Sequence, residues 1–231
     1  MLDDSSKTLK KWLPPILVSN LKNIARSNIR LCGRYSNWQE ALARCEGYDS
    51  DEILERTLTA TQKVKKGQAV YQRDGELFEQ IIYSWPVTSA LMFAAAQNKG
   101  NLNVVDFGGS FASSYFQNKK FLDSLQSVQW RVVEQKSVVA AGSKNFAGQE
   151  ISFHSDLYQC LQDNLPNVVL LSSVLQYLEK PVRFLAQLSK YKVPLIILDR
   201  TPFLKKPKLS YVKIQKVPKR IYRASYPCWL F

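Results

Sequence analysis

The sequence is poor in residues that bind metals. It contains a single histidine, His154, and four cysteines that form no CxxC pair. Zinc sites need several Cys or His ligands at close spacing, so we predict that this chain holds no metal. Four separate thiols are typical of a reducing compartment, which indicates a cytoplasmic location.

Long hydrophobic runs are also missing. The longest apolar stretches, "VTSALMFAAA" and "VPLIIL", are much shorter than the roughly 18 residues of a spanning helix. The N-terminus has no hydrophobic segment followed by a small-residue cleavage site. We therefore expect neither a transmembrane helix nor a secretory signal. An apolar content of 45% predicts a folded chain.

Acidic residues are absent from the segment Arg200 to Phe231, which carries nine lysines and arginines. Residues 1–34 are also basic, with seven Lys and Arg against two Asp. The whole chain has a net charge of +13, so the part between these two ends is close to neutral. Two basic ends predict an anionic surface or substrate as a partner.

The basic segment over residues 1–34 is amphipathic. After two prolines, a helix is predicted over residues 16–29, with Leu17, Leu21 and Ile24 on one face. Such a helix can lie on an anionic bilayer, which would make the protein peripheral at the inner face of the cytoplasmic membrane. It can equally dock on the domain and leave its lysines in solvent.

Residues 35–98 have the pattern of a helical flank or lid. Ser36 or Asn37 can cap a first helix, and Ser50 can cap a second. Two further helices are predicted over "ELFEQIIYSWP", which stops at its proline, and over the alanine-rich residues 87–98.

Strands alternate with helices over residues 99–231. The strands are predicted at "LNVVDF", "VQWRVVEQ", "ISFHSD", "NVVLLSS" and "VPLIILDR". The helices are predicted over 113–126, 136–146 and 180–191. This alternation implies right-handed crossovers, and apolar strands suit a sheet that is covered on both faces. We predict an α/β, Rossmann-like domain with a mostly parallel sheet.

A turn with the pattern of a ligand-binding site follows the first of these strands. In "VVDFGGSFASSYF", Asp106 ends the strand and is followed by Gly108, Gly109 and Ser110. Ligands of open parallel sheets bind at this edge, and glycines let them approach the main chain. Neither GxxxxGK[ST] nor GxGxxG occurs, which argues against a phosphate loop. A cationic, phosphate-free nucleoside such as S-adenosylmethionine (SAM) suits this turn better.

Further candidate ligands of the nucleoside follow the next strands. Glu134, with Gln135 beside it, ends the second strand, where an acid can accept both ribose hydroxyls. Asp156 follows the third strand and can meet the adenine amino group, although surface acids are common there. Ser172 and Ser173 follow the fourth strand and would line the reacting side of the pocket; capping a helix is the other role of Ser173.

Methyl transfer depends on positioning, and O-methylation also benefits from a base. Asp199, at the end of "IILD", is the candidate base, and Arg200 beside it can neutralise it or hold an anionic acceptor. Gln176 can hydrogen-bond either substrate. His154 lies on the third strand near the predicted adenine, where a structural role is favoured.

Several segments resemble an uncharacterised bacterial family of class I SAM-dependent methyltransferases. They are "VVDFGGSFASSYF", "WRVVEQ", "LLSSVLQYLEKP" and "IILDRTPF", with "GRYSNWQEALARCEGYDSDEIL", "YQRDGELFEQIIYSWP" and "VPKRIYRASYPCWLF" toward the ends. The resemblance covers roughly residues 30–231. It implies a methyltransferase fold, SAM as cofactor and, from the surface-polysaccharide gene clusters of its members, a glycan or lipid-linked sugar as acceptor.

Two features depart from this family. Its turn has glycine where this chain has Ala112, and its members continue past "YPCWLF" into another helix and strand. A methyltransferase sheet closes with two further strands, one of them antiparallel. We expect "SYVKIQKV" to supply one of these strands, so that the sheet is incomplete at its C-terminal side.

Two other functions fit the sequence. A non-catalytic domain could keep the fold and serve as an assembly partner. An RNA-binding protein or RNA methyltransferase could use "KKPKLSYVKIQKVPKRIYRASY", in which basic residues alternate with tyrosines. A basic strand and loop over the acceptor pocket is the preferred interpretation of that segment.

Overall fold

The computed structural model describes residues 30–45, 51–205, 210–217 and 224–231. Two predictions lie outside these residues, the helix over 16–29 with its membrane contact and the cap at Ser50, as do residues 206–209 and 218–223 of the C-terminal basic segment. Within the described residues, no helix is both long and apolar enough to cross a membrane.

The described residues form ten strands and seven α-helices. The strands are β1 (Arg30–Tyr35), β2 (Tyr71–Arg73), β3 (Glu76–Phe78), β4 (Asn101–Phe107), β5 (Ser127–Val133), β6 (Ile151–His154), β7 (Val168–Ser172), β8 (Leu195–Asp199), β9 (Tyr211–Lys216) and β10 (Ser225–Leu230). The helices are α1 (Trp38–Leu42), α2 (Asp51–Lys65), α3 (Trp85–Gln97), α4 (Ser113–Leu122), α5 (Lys136–Asn145), α6 (Leu157–Asp163) and α7 (Pro181–Leu188).

A five-stranded parallel sheet lies at the centre of the fold, in the order β6-β5-β4-β7-β8. Helices connect its strands, so the predicted Rossmann-like fold is confirmed. The chain order reverses beside β4, because β5 and β6 lie on one side of it and β7 and β8 on the other. This is the switch point at which ligands of open α/β sheets bind.

Both faces of this sheet are buried. Side chains alternate along each strand, so Val104 and Leu170 join one core cluster while Val105 and Leu171 join the other. The first cluster packs on α3, α4 and α5, and the second on α6 and α7. Burial on both sides explains why these strands are almost continuously apolar in the sequence.

The third predicted helix, over "ELFEQIIYSWP", is wrong. Its first residues form β3, which pairs with β2 in an antiparallel hairpin where Arg73 faces Glu76. The two loop residues, Asp74 and Gly75, both have positive φ, 53° and 77°. Asp-Gly is a favoured pair for such a tight turn, because its twist matches that of the strands.

Other element boundaries were predicted more closely. Asn37 caps α1 by accepting a hydrogen bond from the backbone N–H of Glu40 at 2.8 Å, as one of the two predicted alternatives requires. Helix α3 begins at Trp85 rather than at residue 87, because Pro86 occupies its first turn, where no N–H donor is needed. Helix α6 was not predicted.

A second sheet is antiparallel and has the order β1-β9-β10. The prediction that "SYVKIQKV" adds a strand to the parallel sheet is therefore wrong, because β9 pairs with β1 and β10 instead. On one face of this sheet, Val212 and Ile214 of β9 pack against Trp38 and Ala41 of α1. The opposite face of this sheet lines the cavity described next.

Candidate functional site

A cavity of about 720 Å³ lies at the carboxyl-terminal edge of the parallel sheet. Its volume is within the roughly 300–1,000 Å³ typical of small-molecule sites. The turn after β4 and the ends of β5 and β7 form one wall. The opposite wall consists of residues from α2, the β2-β3 hairpin and the second sheet. Predicted site residues among its lining are Asp106, Gly108, Gly109, Ser110, Glu134, Gln135, Ser172, Ser173, Gln176 and Arg200.

The glycines of the turn are required by the packing of the chain itself. Gly108 has a φ of 71°, and a Cβ there would lie 2.6 Å from Cγ2 of Val174. A Cβ on Gly109 would lie 2.5–2.8 Å from the two carboxylate oxygens of Asp106. Ala112 also has a positive φ, 60°, a backbone conformation that favours glycine.

Glu134 connects β5 to the turn. Its Oε1 accepts a hydrogen bond from the backbone N–H of Ser110, and its Oε2 accepts one from that of Gln135, both at 3.0 Å. Burial raises the pKa of this carboxyl group, and the two N–H donors oppose the rise. Each carboxylate oxygen has a second lone pair with which it can accept a ligand hydroxyl.

Asp106 is a buried acid with one unpaired oxygen. Its Oδ2 accepts a hydrogen bond from Nε1 of Trp130 at 3.0 Å, whereas Oδ1 has no partner among the described residues. Burial raises the pKa of Asp106 to about 7, and the neighbouring charge of Glu134 adds to this rise. A cationic ligand would supply the missing partner.

The pH dependence of stability tests this environment. Because the folded-state pKa of Asp106 is about 7 and an ordinary carboxyl has 3.8, the folded protein holds this proton more tightly. Its contribution to the free energy of unfolding is complete below pH 4 and is lost as the pH rises to about 7, by at most about 1.4 kcal/mol per pH unit. Urea denaturation at pH 5 and 8 should show this loss in the wild type and not in Asp106→Asn. If the free energy of unfolding changed equally between pH 5 and pH 8 in the two proteins, the raised pKa of Asp106 would be contradicted.

Asp199 does not line the cavity. Its Oδ1 accepts a hydrogen bond from Oγ of Ser84 at 3.0 Å, and its Oδ2 accepts one from Oγ of Ser172 at 2.6 Å. Arg200 donates to the same Ser172 hydroxyl and lies 3.4 Å from Asp199. These contacts join the start of α3 to β7 and β8. They do not favour Asp199 as a base, and that role stays a prediction.

Asp156 also lies outside the lining of the cavity. Its Oδ1 accepts hydrogen bonds from the backbone N–H groups of Tyr158 and Gln159, at 2.8 and 3.0 Å, so it caps α6. Its predicted contact with adenine is not tested by this geometry. Nε2 of His154 lies 2.9 Å from Oγ of Ser152 on the same strand, and burial lowers the pKa of this imidazole.

The wall opposite the turn was expected from the sequence only as a strand and loop of the C-terminal basic segment over the acceptor pocket. It contains Tyr71 and Arg73 of the hairpin, and Gln215 and Tyr226 of the second sheet. Gln215 accepts a hydrogen bond from the hydroxyl of Tyr177 at 3.1 Å and donates one to the hydroxyl of Tyr226 at 2.9 Å. The Asp-Gly pair could have revealed the hairpin, but no short-range signal joins β9 to β1.

The cavity is acidic although the protein is basic. Among the described residues that line it are five acids, Asp51, Asp74, Glu76, Asp106 and Glu134, and two arginines, Arg73 and Arg200. This excess of carboxylates favours a cation over a phosphate. The described residues contain no cluster of His, Cys, Asp and Glu that could hold a metal ion.

No family model and no curated protein match this sequence. Among solved structures, the chain is similar to the N-terminal domain of EvdMO1, crystallised in the presence of S-adenosylhomocysteine (SAH) and D-fucose. The TM-score is 0.39 at 12% identity, over 79% of this chain and 82% of that one. A likeness this distant carries no argument about function, so the resemblance to the methyltransferase family stays a prediction.

Proposed function

We propose that this protein is a SAM-dependent methyltransferase that O-methylates a glycan or a lipid-linked sugar. The observation that carries this proposal is the convergence of two carboxylates, Asp106 and Glu134, on the turn at the switch point of the sheet. In Rossmann-like folds this position takes a nucleoside, and here the site favours a positively charged one. SAM is a nucleoside with a sulfonium and an ammonium group.

Each carboxylate at this edge of the sheet can be assigned to one part of SAM. Glu134 can accept the ribose hydroxyls with its remaining lone pairs, and Gln135 lies beside it. The unpaired Oδ1 of Asp106 can accept a hydrogen bond from the ammonium group of SAM, and this contact would stabilise the ionised carboxylate. When bound, SAM would supply a methyl group that moves in line from its sulfonium sulfur to an acceptor oxygen, with S-adenosylhomocysteine as the leaving group. The chain's own part is to orient the acceptor and exclude water.

The opposite wall supports a sugar-like acceptor. Tyr71, Tyr177 and Tyr226 present aromatic rings, and Gln176 and Gln215 present amides. Aromatic surfaces with a few placed polar groups are typical of sites for small organic ligands. Burial raises the pKa of Tyr71 and of Tyr177, so both remain neutral hydroxyls at physiological pH.

The test is isothermal titration calorimetry of the purified chain with SAM and with S-adenosylhomocysteine, the demethylated product. ATP is the matched control, because it has the same nucleoside with phosphates that the carboxylates repel. We expect micromolar binding of both sulfur compounds and none of ATP. A well-folded chain that binds neither would refute the proposal and favour the non-catalytic assembly partner. Steeply salt-dependent binding of RNA instead would favour the RNA-binding alternative.

A further inference from the structure

Gln176 lines the cavity and carries a buried acceptor atom. The residue lies in a short 3-10 helix, Leu175–Tyr177, that follows β7, and it is only 3% exposed. Its Oε1 has no hydrogen-bond partner among the described residues. Buried amide oxygens are nearly always paired in native proteins, because an unpaired one has lost its hydration without compensation.

The orientation of the Gln176 amide is set by its surroundings. Its Nε2 donates to Oγ of Ser173 at 3.2 Å and to the carbonyl oxygen of Arg200 at 3.3 Å. A carbonyl can only accept, so the nitrogen must face Arg200 and the oxygen must face away from it. Ser173 and Arg200 both have positive φ, 58° and 50°, which is an uncommon conformation for these residues. The backbone thus adopts two unfavourable conformations where it holds this amide.

Two neighbouring side chains donate to partners other than Gln176. The hydroxyl of Tyr177 donates to Oε1 of Gln215, and Arg200 donates through Nε and Nη2 to Ser172. The amide oxygen of Gln176 is therefore available to a group that enters the cavity. Such a group must carry a hydrogen, since an amide oxygen cannot donate.

We propose that Oε1 of Gln176 accepts a hydrogen bond from the hydroxyl of the acceptor that is methylated, and that it thereby selects alcohols over carboxylates and phosphates. This inference rests on the proposed function and names the acceptor group of the same site. A carboxylate or phosphate has no hydrogen to donate at neutral pH, and its oxygens would face the partial negative charge of the amide oxygen. The oxygen–methyl bond of a methyl ether forms as the sulfur–methyl bond breaks, S-adenosylhomocysteine leaves, and the proton of the hydroxyl is released to solvent, since an amide oxygen is too weak a base to keep it.

The test uses radiolabelled SAM with methyl glycosides of D-glucose, D-galactose, L-rhamnose and D-glucuronic acid. The last compound offers both hydroxyls and a carboxylate. Treatment with mild base separates the products, because methyl esters release the label and methyl ethers keep it. We expect base-stable label with at least one neutral glycoside, and no ester with the glucuronide. Base-labile label would overturn the proposal.

Gln176→Leu removes the acceptor oxygen at similar side-chain size. We expect kcat/KM for the glycoside to fall about 30-fold, while the affinity for S-adenosylhomocysteine changes less than about twofold. Gln126→Leu is the control, because Gln126 is exposed just before β5, at the opposite edge of the sheet. Unchanged turnover in Gln176→Leu would overturn the proposal.

The cofactor site and the role of Gln176 are tested separately by these measurements. If S-adenosylhomocysteine binds and no glycoside of the panel is methylated, the role of Gln176 is refuted and the cofactor site stands. If S-adenosylhomocysteine does not bind, the proposed function fails first, and this inference fails with it.

Discussion

Replacement of Glu134 by alanine is expected to weaken the binding of SAM about 100-fold. The substitution removes the carboxylate that we assign to the ribose, and hydrogen bonds to an ionised group are worth roughly 1.5–3 kcal/mol. It also leaves the N–H of Ser110 without its acceptor, so the turn loses a contact that orders it. Titration calorimetry of the variant with SAM and S-adenosylhomocysteine measures the effect.

Two further variants make this result specific. Glu134→Gln keeps an oxygen that can accept from Ser110 and removes the charge, so we expect an intermediate loss of affinity. Glu55→Ala changes an exposed acid of α2 and should leave the affinity unchanged. Circular dichroism shows whether each variant is folded. An affinity of folded Glu134→Ala within threefold of the wild type would show that this carboxylate does not hold the ligand.

Replacement of Gly109 by alanine is expected to lower the free energy of unfolding by about 2–3 kcal/mol. The new Cβ would overlap the carboxylate of Asp106, which its hydrogen bond to Trp130 holds in place. Overpacking of a well-packed site typically costs 1–3 kcal/mol, and loss of that hydrogen bond adds to it. Urea denaturation measures the difference.

Gly148→Ala is the matched control, because an added Cβ there meets no atom within 4 Å. It should change the free energy of unfolding by less than about 0.5 kcal/mol. In an Asp106→Ala background the carboxylate that the new Cβ would overlap is absent. Gly109→Ala should then lower the free energy of unfolding by at least about 1 kcal/mol less than it does in the wild type. Strict additivity of the two substitutions would mean that the turn is strained for another reason.

The five parallel strands and the turn after β4 could be predicted because their signals are local. Each strand is a short apolar run between turn residues, and Gly108 and Gly109 follow the first one directly. Glu134 was found in the same way, from its place at the end of β5. Its hydrogen bond to the N–H of Ser110 follows from the parallel pairing of β4 and β5.

Other features depended on contacts between distant parts of the chain. Asp199 looks like a free acid at a strand end until Ser84, far away in sequence, is seen to donate to it. The pairing of β1 with β9 joins residues near 30 to residues near 215, and no local pattern encodes it. The hairpin is a different case, because the adjacent pair Asp74 and Gly75 is a local signal for a tight turn. The helical spacing of the residues after this pair led to the wrong prediction of a helix.

By itself, the sequence determined the class of the fold, the position of the turn, and the acids at the ends of β4 and β5. These depend on side-chain periodicity and on residues adjacent in the chain. Only the tertiary structure decided that a second sheet closes the cavity, that its lining is acidic in a basic protein, and that Gln176 holds an unpaired oxygen there. These properties depend on burial and on partners from separate elements, and a hydrogen bond that is absent can be recognised only when every neighbour is in place.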